Sequence, residues 1–181
     1  MAKGGVSGGG VEAEPISTGR LELLPLRIEH AEEMAAVLAD PALYAFIGGS
    51  PPAPAELRAR YERQIAGSAD PAEAWLNWVV RLRDEGCLAG TVQATVAVAE
   101  PRTAEIAWVI GTRWQGRGIA TEAARALVTW LRRQGVRTLV AHVHPDHAAS
   151  AAVARAAGLT PTDQWHDGEI RWQLDRGPEH R

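Results

Sequence analysis

Apolar residues recur along the chain in two rhythms, one of strands and one of helices. In RLELLPLRI (residues 20–28) leucines alternate with other residues around a proline, which predicts a short edge strand running into a turn. HAEEMAAVLADP switches to helical spacing, with Met34, Val37 and Leu38 on one face and Asp40 and Pro41 ending the run. The Gly/Pro-rich IGGSPPAPA that follows is long enough to shape a substrate site, and AELRARYERQIAG reads as another short helix.

AWLNWVVRLR and CLAGTVQATVAVA are rich in strand formers and flank the turn-like DEG, so they predict two antiparallel strands. PRT breaks the chain before the strand AEIAWVI, and GTRWQGRGIAT leads from it into the clearest helix, TEAARALVTWLRRQG. There Ala120, Ala124, Leu127 and Leu131 mark an apolar face, while Glu122, Arg125, Arg132 and Arg133 are left to water. VRTLVAHVH predicts the next strand, ASAAVARAAGL a short helix ending near Gly158, and GEIRWQL a last strand. Strands in series followed by strand, glycine turn, helix and strand imply an α/β fold: a mixed, mostly antiparallel central sheet flanked by helices.

With 181 residues and 46% hydrophobic content, the chain can bury one sizeable core. The expected organisation is a flexible glycine-rich arm over 1–18, a single domain over 19–176 and a short flexible tail over 177–181. A net charge of −3 provides no global basic field, which argues against nucleic acid as the main partner. Charged residues and prolines interrupt every apolar run before the roughly 20 residues a membrane span needs, and the arm lacks the apolar core of a secretion signal. The one cysteine, Cys87, has no internal partner, and a cytoplasmic protein is expected.

The stretch RWQGRGIA carries the most chemistry. Gly116 and Gly118 permit close backbone approach, and a helix starting near Gly118 exposes N–H groups and a positive dipole end that suit a phosphate or pyrophosphate. Arg113 and Arg117 can add charge-assisted contacts. The plainer alternative is a tight connection with two solvated arginines. A P-loop would need a lysine followed by Ser or Thr after its glycines, and a dinucleotide-binding turn would read GxGxxG in an early βαβ unit; neither pattern is met.

Gln115-Gly116-Arg117-Gly118-Ile119-Ala120, with AEIAWVIGTRW before it and TEAARALVTWLRRQGVRTLVAHVHP after it, resembles the GCN5-related N-acetyltransferase (GNAT) superfamily, particularly the RimJ/RimL-like branch of ribosomal-protein N-terminal acetyltransferases. The resemblance runs from about Leu21 to Trp172. It implies the acyl-CoA N-acyltransferase fold and acetyl-CoA as the acyl-donor cosubstrate. Gly116, Arg117, Gly118 and Ala120 would then hold the pyrophosphate, with Gln115 shaping the loop and Arg113 and Ile119 completing its surroundings. The backbone of Trp108, Val109 and Ile110 would hold the pantetheine arm. His147 stands where many relatives have an asparagine beside CoA, and Ser150 keeps the serine that follows. At the helix positions where some relatives place a thiolate-protonating tyrosine, this chain has Ala152, Val153 and Ala154.

Direct attack of an amine on a thioester needs positioning, a proton acceptor and a donor for the developing oxyanion, but no covalent enzyme intermediate. Glu105, at the start of AEIAWVI, is the expected base; its alternative role is a polar strand-end residue. His142 and His144 share a strand face as proton carriers, acceptor ligands or packing residues, and no metal is expected there. The expected reaction is acetyl transfer to a primary amine of a peptide N-terminus or a small molecule. A noncatalytic acyl-CoA-binding regulatory domain and a transferase for a longer acyl group are the alternatives, and a homodimer is compatible with either. Trp75, Trp78, Trp165 and Trp172 are candidates for an apolar platform or for the core.

Overall fold

A computed structural model describes residues 10–177 of the chain. Its centre is a mixed sheet of eight strands in the order β1-β2-β3-β4-β5-β6-β8-β7. The strands are β1 (Ile16–Ser17), β2 (Leu21–Pro25), β3 (Glu73–Leu82), β4 (Leu88–Ala97), β5 (Thr103–Ile110), β6 (Thr138–Val143), β7 (Thr160–His166) and β8 (Glu169–Asp175). Every neighbouring pair is antiparallel except β5 and β6. The helices are α1 (Ala31–Val37), α2 (Tyr44–Ile47), α3 (Pro54–Ala66), α4 (Ile119–Arg133) and α5 (Ala148–Ala156).

Side-chain alternation in the strands divides the helices between the two faces. On β3, Trp78 is fully buried and meets Trp130 of α4 edge-on, with ring centroids 5.3 Å apart. Its neighbour Asn77 points to the other face, where it lines a cavity with Tyr61 of α3. α1 packs against α3 and β4 on that second face, and α5 leans on α4. The expected apolar stripe of α4 is realised: Ala124, Leu127 and Leu131 are fully buried, whereas Ala120 stays half-buried beside the glycine turn. Burial of each of those leucines stabilises the fold by roughly 2 kcal/mol.

The strand expected at the sheet edge is β2, and β1 pairs outside it. Pro25 fits β2 because β1 pairs only with Glu22 and Leu23, so at Pro25 the strand is an open edge on that side. Within the segment expected as an arm, Val11 and Ala13 pack on the core, and the Glu14 carbonyl accepts from Trp78 Nε1 at 2.8 Å. The remainder of that arm, residues 1–9, and residues 178–181 of the tail lie outside the described residues. β7 was not expected from the sequence, because TPTDQWH carries too few apolar residues to show a strand rhythm; it is held by β8 across a tight turn at Asp167 and Gly168. No described helix is long and apolar enough to cross a membrane.

One irregularity positions the site. β5 and β6 are joined through α4 and pair in parallel only at Thr103↔Thr138, Ala104↔Leu139 and Glu105↔Val140. Beyond Glu105, β5 continues to Ile110 paired with β4 alone, and β6 continues to Val143 paired with β8 alone. The two strands therefore splay, and the peptide groups of β5 that face the gap have no strand partner.

Candidate active site

The gap opens into a groove of about 550 Å3. Trp108, Val109 and Ile110 form its strand wall, and the turn from Gln115 to Ala120 closes one end. His147 and Ser150 contribute from the start of α5, and Phe46 and Ile47 from α2. The structure thus brings together all but Arg113 and Arg117 of the residues expected along a cofactor.

The turn takes its shape from residues that need a left-handed backbone. Gly116 and Gly118 have φ of 74° and 76°, a region costly for residues with a Cβ. Gly118 also caps α4, whose first i→i−4 bond runs from Glu122 N to Gly118 O at 3.0 Å. The N–H groups of Ile119, Ala120 and Thr121 therefore stand free at the positive end of a 15-residue helix, beside the groove.

Side chains brace this turn. Gln115 Nε2 donates to Ile110 O at 3.0 Å, fixing the end of β5. Arg117 reaches away from the groove to Glu85 at 2.6 Å, and that hydrogen bond is the leading reason the Glu85 carboxyl sits below its ordinary value. Arg113 stacks over Trp114 at 5.4 Å on the outer side of the turn, in a separate surface depression with Glu85 and Cys87. Both arginines expected at a pyrophosphate thus have protein partners.

Arg20, which local sequence did not single out, stands closer to the turn. Its Nη1 donates to Arg117 O at 2.8 Å and its Nε pairs with Glu122 Oε1 at 2.8 Å. Burial alone would raise the Glu122 carboxyl, but hydrogen bonds from Thr18 and Arg20 outweigh it and hold the group below its usual range. Arg20 and Glu122 lie 102 residues apart, so no local pattern could have paired them.

At the opposite wall, His147 stacks on Phe46 with ring centroids 4.4 Å apart and planes 11° from parallel. Burial, and behind it the charge of His144, lowers the imidazole's proton affinity, so His147 is neutral near pH 7. His144 Nδ1 accepts from Asp146 N at 3.1 Å and serves the turn into α5.

Glu105, Ala107 and Val109 alternate on the face opposite α4. Glu105 Oε1 is 2.8 Å from His142 Nδ1. A second cavity, of about 150 Å3, lies between this face and α3, lined by Tyr44, Tyr61, Asn77, Thr91, Gln93 and Val109 among others. None of the described residues lining it is acidic. The buried Tyr61 hydroxyl has no hydrogen-bond partner among the described residues, and burial pushes its pKa up to about 12. Val109 lines both cavities, so the strand beside the groove is also the floor of the second cavity.

The tryptophans do not make one platform: Trp78 and Trp172 are buried in the core, while Trp75 and Trp165 are exposed on separate strands. No group of three or more His, Cys, Asp or Glu among the described residues is placed to hold a metal ion.

A parallel strand pair that splays beside a glycine turn and a free helix N-terminus defines the groove. The chain belongs to the acetyltransferase (GNAT) domain family, whose model matches residues 20–160. Over 81 residues it is 32% identical to the uncharacterized N-acetyltransferase YnaD of Bacillus subtilis (strain 168); the match spans 44% of this chain and 47%, about half, of that protein. The fold is similar to RimL, a ribosomal L7/L12 α-N-protein acetyltransferase in complex with coenzyme A, with TM-score 0.74 and 21% identity over 90% of this chain and 98% of that one. It is also similar to AAC(6')-Ib in complex with paromomycin and acetyl-CoA, with TM-score 0.73 and 17% identity over 87% and 94% of the two chains. At these identities the two structures establish the fold.

Proposed function

We propose that the chain is an N-acetyltransferase that binds acetyl-CoA in the groove between β5 and β6 and passes the acetyl group to a primary amine approaching from the α3 face. The observation that carries this reading is the splay beyond Glu105 and Val140, which leaves the backbone of residues 106–110 facing a groove that ends at the free N–H groups of α4. The pyrophosphate meets the Gly116–Ala120 turn, which Arg20 braces through the Arg117 carbonyl, and the pantetheine arm lies along Trp108–Ile110 as an added strand. His147 and Ser150 flank it from α5. Fixed N–H donors on β5 are suited to the oxyanion that develops when the amine adds to the thioester. Glu105, in contact with His142, belongs to the machinery that receives the amine's proton.

The acceptor cavity supports a choice of amine. Its lining offers amides and hydroxyls from Asn77, Gln93, Thr91 and Tyr61, the exposed cation Arg60 and no carboxylate among the described residues. Such a surface hydrogen-bonds a peptide N-terminus or a small neutral amine better than a polycation, which recruits acidic partners.

The test is calorimetric titration of acetyl-CoA into the wild type and Gly118→Val, combined with thiol release on an amine panel. A branched side chain at Gly118 is strained at φ 76° and meets Arg20 Nη2, 3.3 Å from the Cβ position. Gly118→Val is expected to bind acetyl-CoA at least about tenfold more weakly while keeping its fold. Equal affinity would remove the pyrophosphate from this turn. Tight acetyl-CoA binding without amine-dependent thiol release would leave a binding domain.

A further inference from the structure

We propose that His142 is the group that takes the proton from the acceptor amine, and that Glu105 acts through it as a positioning residue. The inference deepens the acetyltransferase reading and rests on it. Glu105 and Val140 form the last pair before β5 and β6 part; His142, two residues on, projects from the same face at the mouth of the gap.

The contact at 2.8 Å between Glu105 Oε1 and His142 Nδ1 decides the tautomer. A carboxylate only accepts, so Nδ1 carries the hydrogen and the lone pair of the neutral ring lies on Nε2. Nε2 has no hydrogen-bond partner among the described residues, whereas His144 spends its Nδ1 on the following turn. The two histidines that the sequence leaves equivalent are thereby separated. The side chain of His142 is 16% exposed and that of Glu105 57%, so the imidazole is the sheltered member of the pair and the carboxylate the solvated one. A neutral imidazole with its Nε2 lone pair unengaged is a general base of the ordinary kind for an amine proton.

The groups facing His142 are few. Glu105 stands on β5, His166 of β7 lies with its ring 5.2 Å away, and Arg171 of β8 is directly opposite in register, with Glu169 further along the same face. Ala107, exposed and small, leaves room above β5 for the amine. In the reaction the amine nitrogen forms a bond to the thioester carbon and its proton passes to Nε2. Glu105 balances the imidazolium charge. As the C–S bond breaks, the electron pair leaves with sulfur, and the thiolate takes the proton from the imidazolium, returning the neutral imidazole beside the Glu105 carboxylate.

The experiment is a pH profile of kcat/KM for the wild type, H142Q and E105Q on a peptide with a free N-terminus and on a small primary amine, with acetyl-CoA affinity measured alongside. H142Q is expected to lose about a hundredfold in kcat/KM and the acidic limb of the profile, with acetyl-CoA affinity unchanged. E105Q is expected to lose about tenfold and to keep the limb. A limb that survives in H142Q and vanishes in E105Q would make Glu105 the direct base and overturn the proposal, as would unchanged turnover in both, and either result leaves the acetyltransferase reading intact. Absence of amine-dependent turnover in the wild type overturns both. Nitrogen-15 NMR of the wild-type imidazole supplies a check that needs no variant: the ring should carry its hydrogen on Nδ1, and the Nε2–H tautomer would sink the idea.

Discussion

His147 shows how much of a residue's role is set by what lies across a groove from it. The sequence places it at the start of a helix; the fold adds the stack on Phe46, more than 100 residues away in the chain. With its proton affinity lowered by burial, the unfolded chain binds a proton more readily than the folded one. Its contribution to stability is therefore complete above the ordinary histidine value of 6.5 and is lost as pH falls from there toward the lowered folded value. His30, lowered in the same direction, adds to the slope. In urea titrations across that window the wild type should lose stability more steeply with acid than His147→Asn; parallel curves would show that His147 does not contribute. Glu105 was legible as a strand-end carboxylate, but its contact with His142 depends on which strands become neighbours.

The element that makes the site is the β4–β5 pair, which alone carries the free half of β5. Gly90 of β4 lies opposite Ile110, and a Cβ there would stand 2.2 Å from the Val109 carbonyl oxygen. That carbon meets backbone, which cannot rotate away, so Gly90→Ala should cost at least about 2 kcal/mol and disturb the groove wall with it. Gly116→Ala meets no atom within 4 Å and should cost only about 1 kcal/mol through its positive φ. Chemical unfolding of the two variants checks the contrast; comparable losses would mean that space at Gly90 is not the limit. The hairpin of β3 and β4, the strand β5 and the amphipathic α4 were all readable because each is a local rhythm of apolar residues. β1 and β7 were not, since two residues of β1 and the polar TPTDQWH gain their conformation from partner strands rather than from their own pattern.

At the scale of the whole molecule, the segment before β2 closes the core instead of hanging from it. Glu14 accepts from Trp78 Nε1 through its carbonyl and approaches Trp130 Nε1 through its carboxylate at 3.4 Å, joining the N-terminal segment to both partners of the aromatic pair between β3 and α4. Deleting the chain through Pro15 leaves a buried indole N–H unsatisfied and should lower stability by about 1–3 kcal/mol. Tryptophan fluorescence during urea unfolding reads this directly, and an unchanged midpoint would return the segment to the status of a loose arm. Composition, apolar rhythm and the QGRGIA turn by themselves determined the fold class, the single core and the glycine turn that closes one end of the groove, because each depends on residues within a turn or two of one another. Only the tertiary structure decided where β5 and β6 part, which histidine meets Glu105, that Arg20 braces the turn while Arg117 turns away, and that the cavity beside α3 lacks acidic lining among the described residues. Those features are contacts between residues tens to more than a hundred positions apart, and backbone pairing across the sheet, not any local spacing, brings them together.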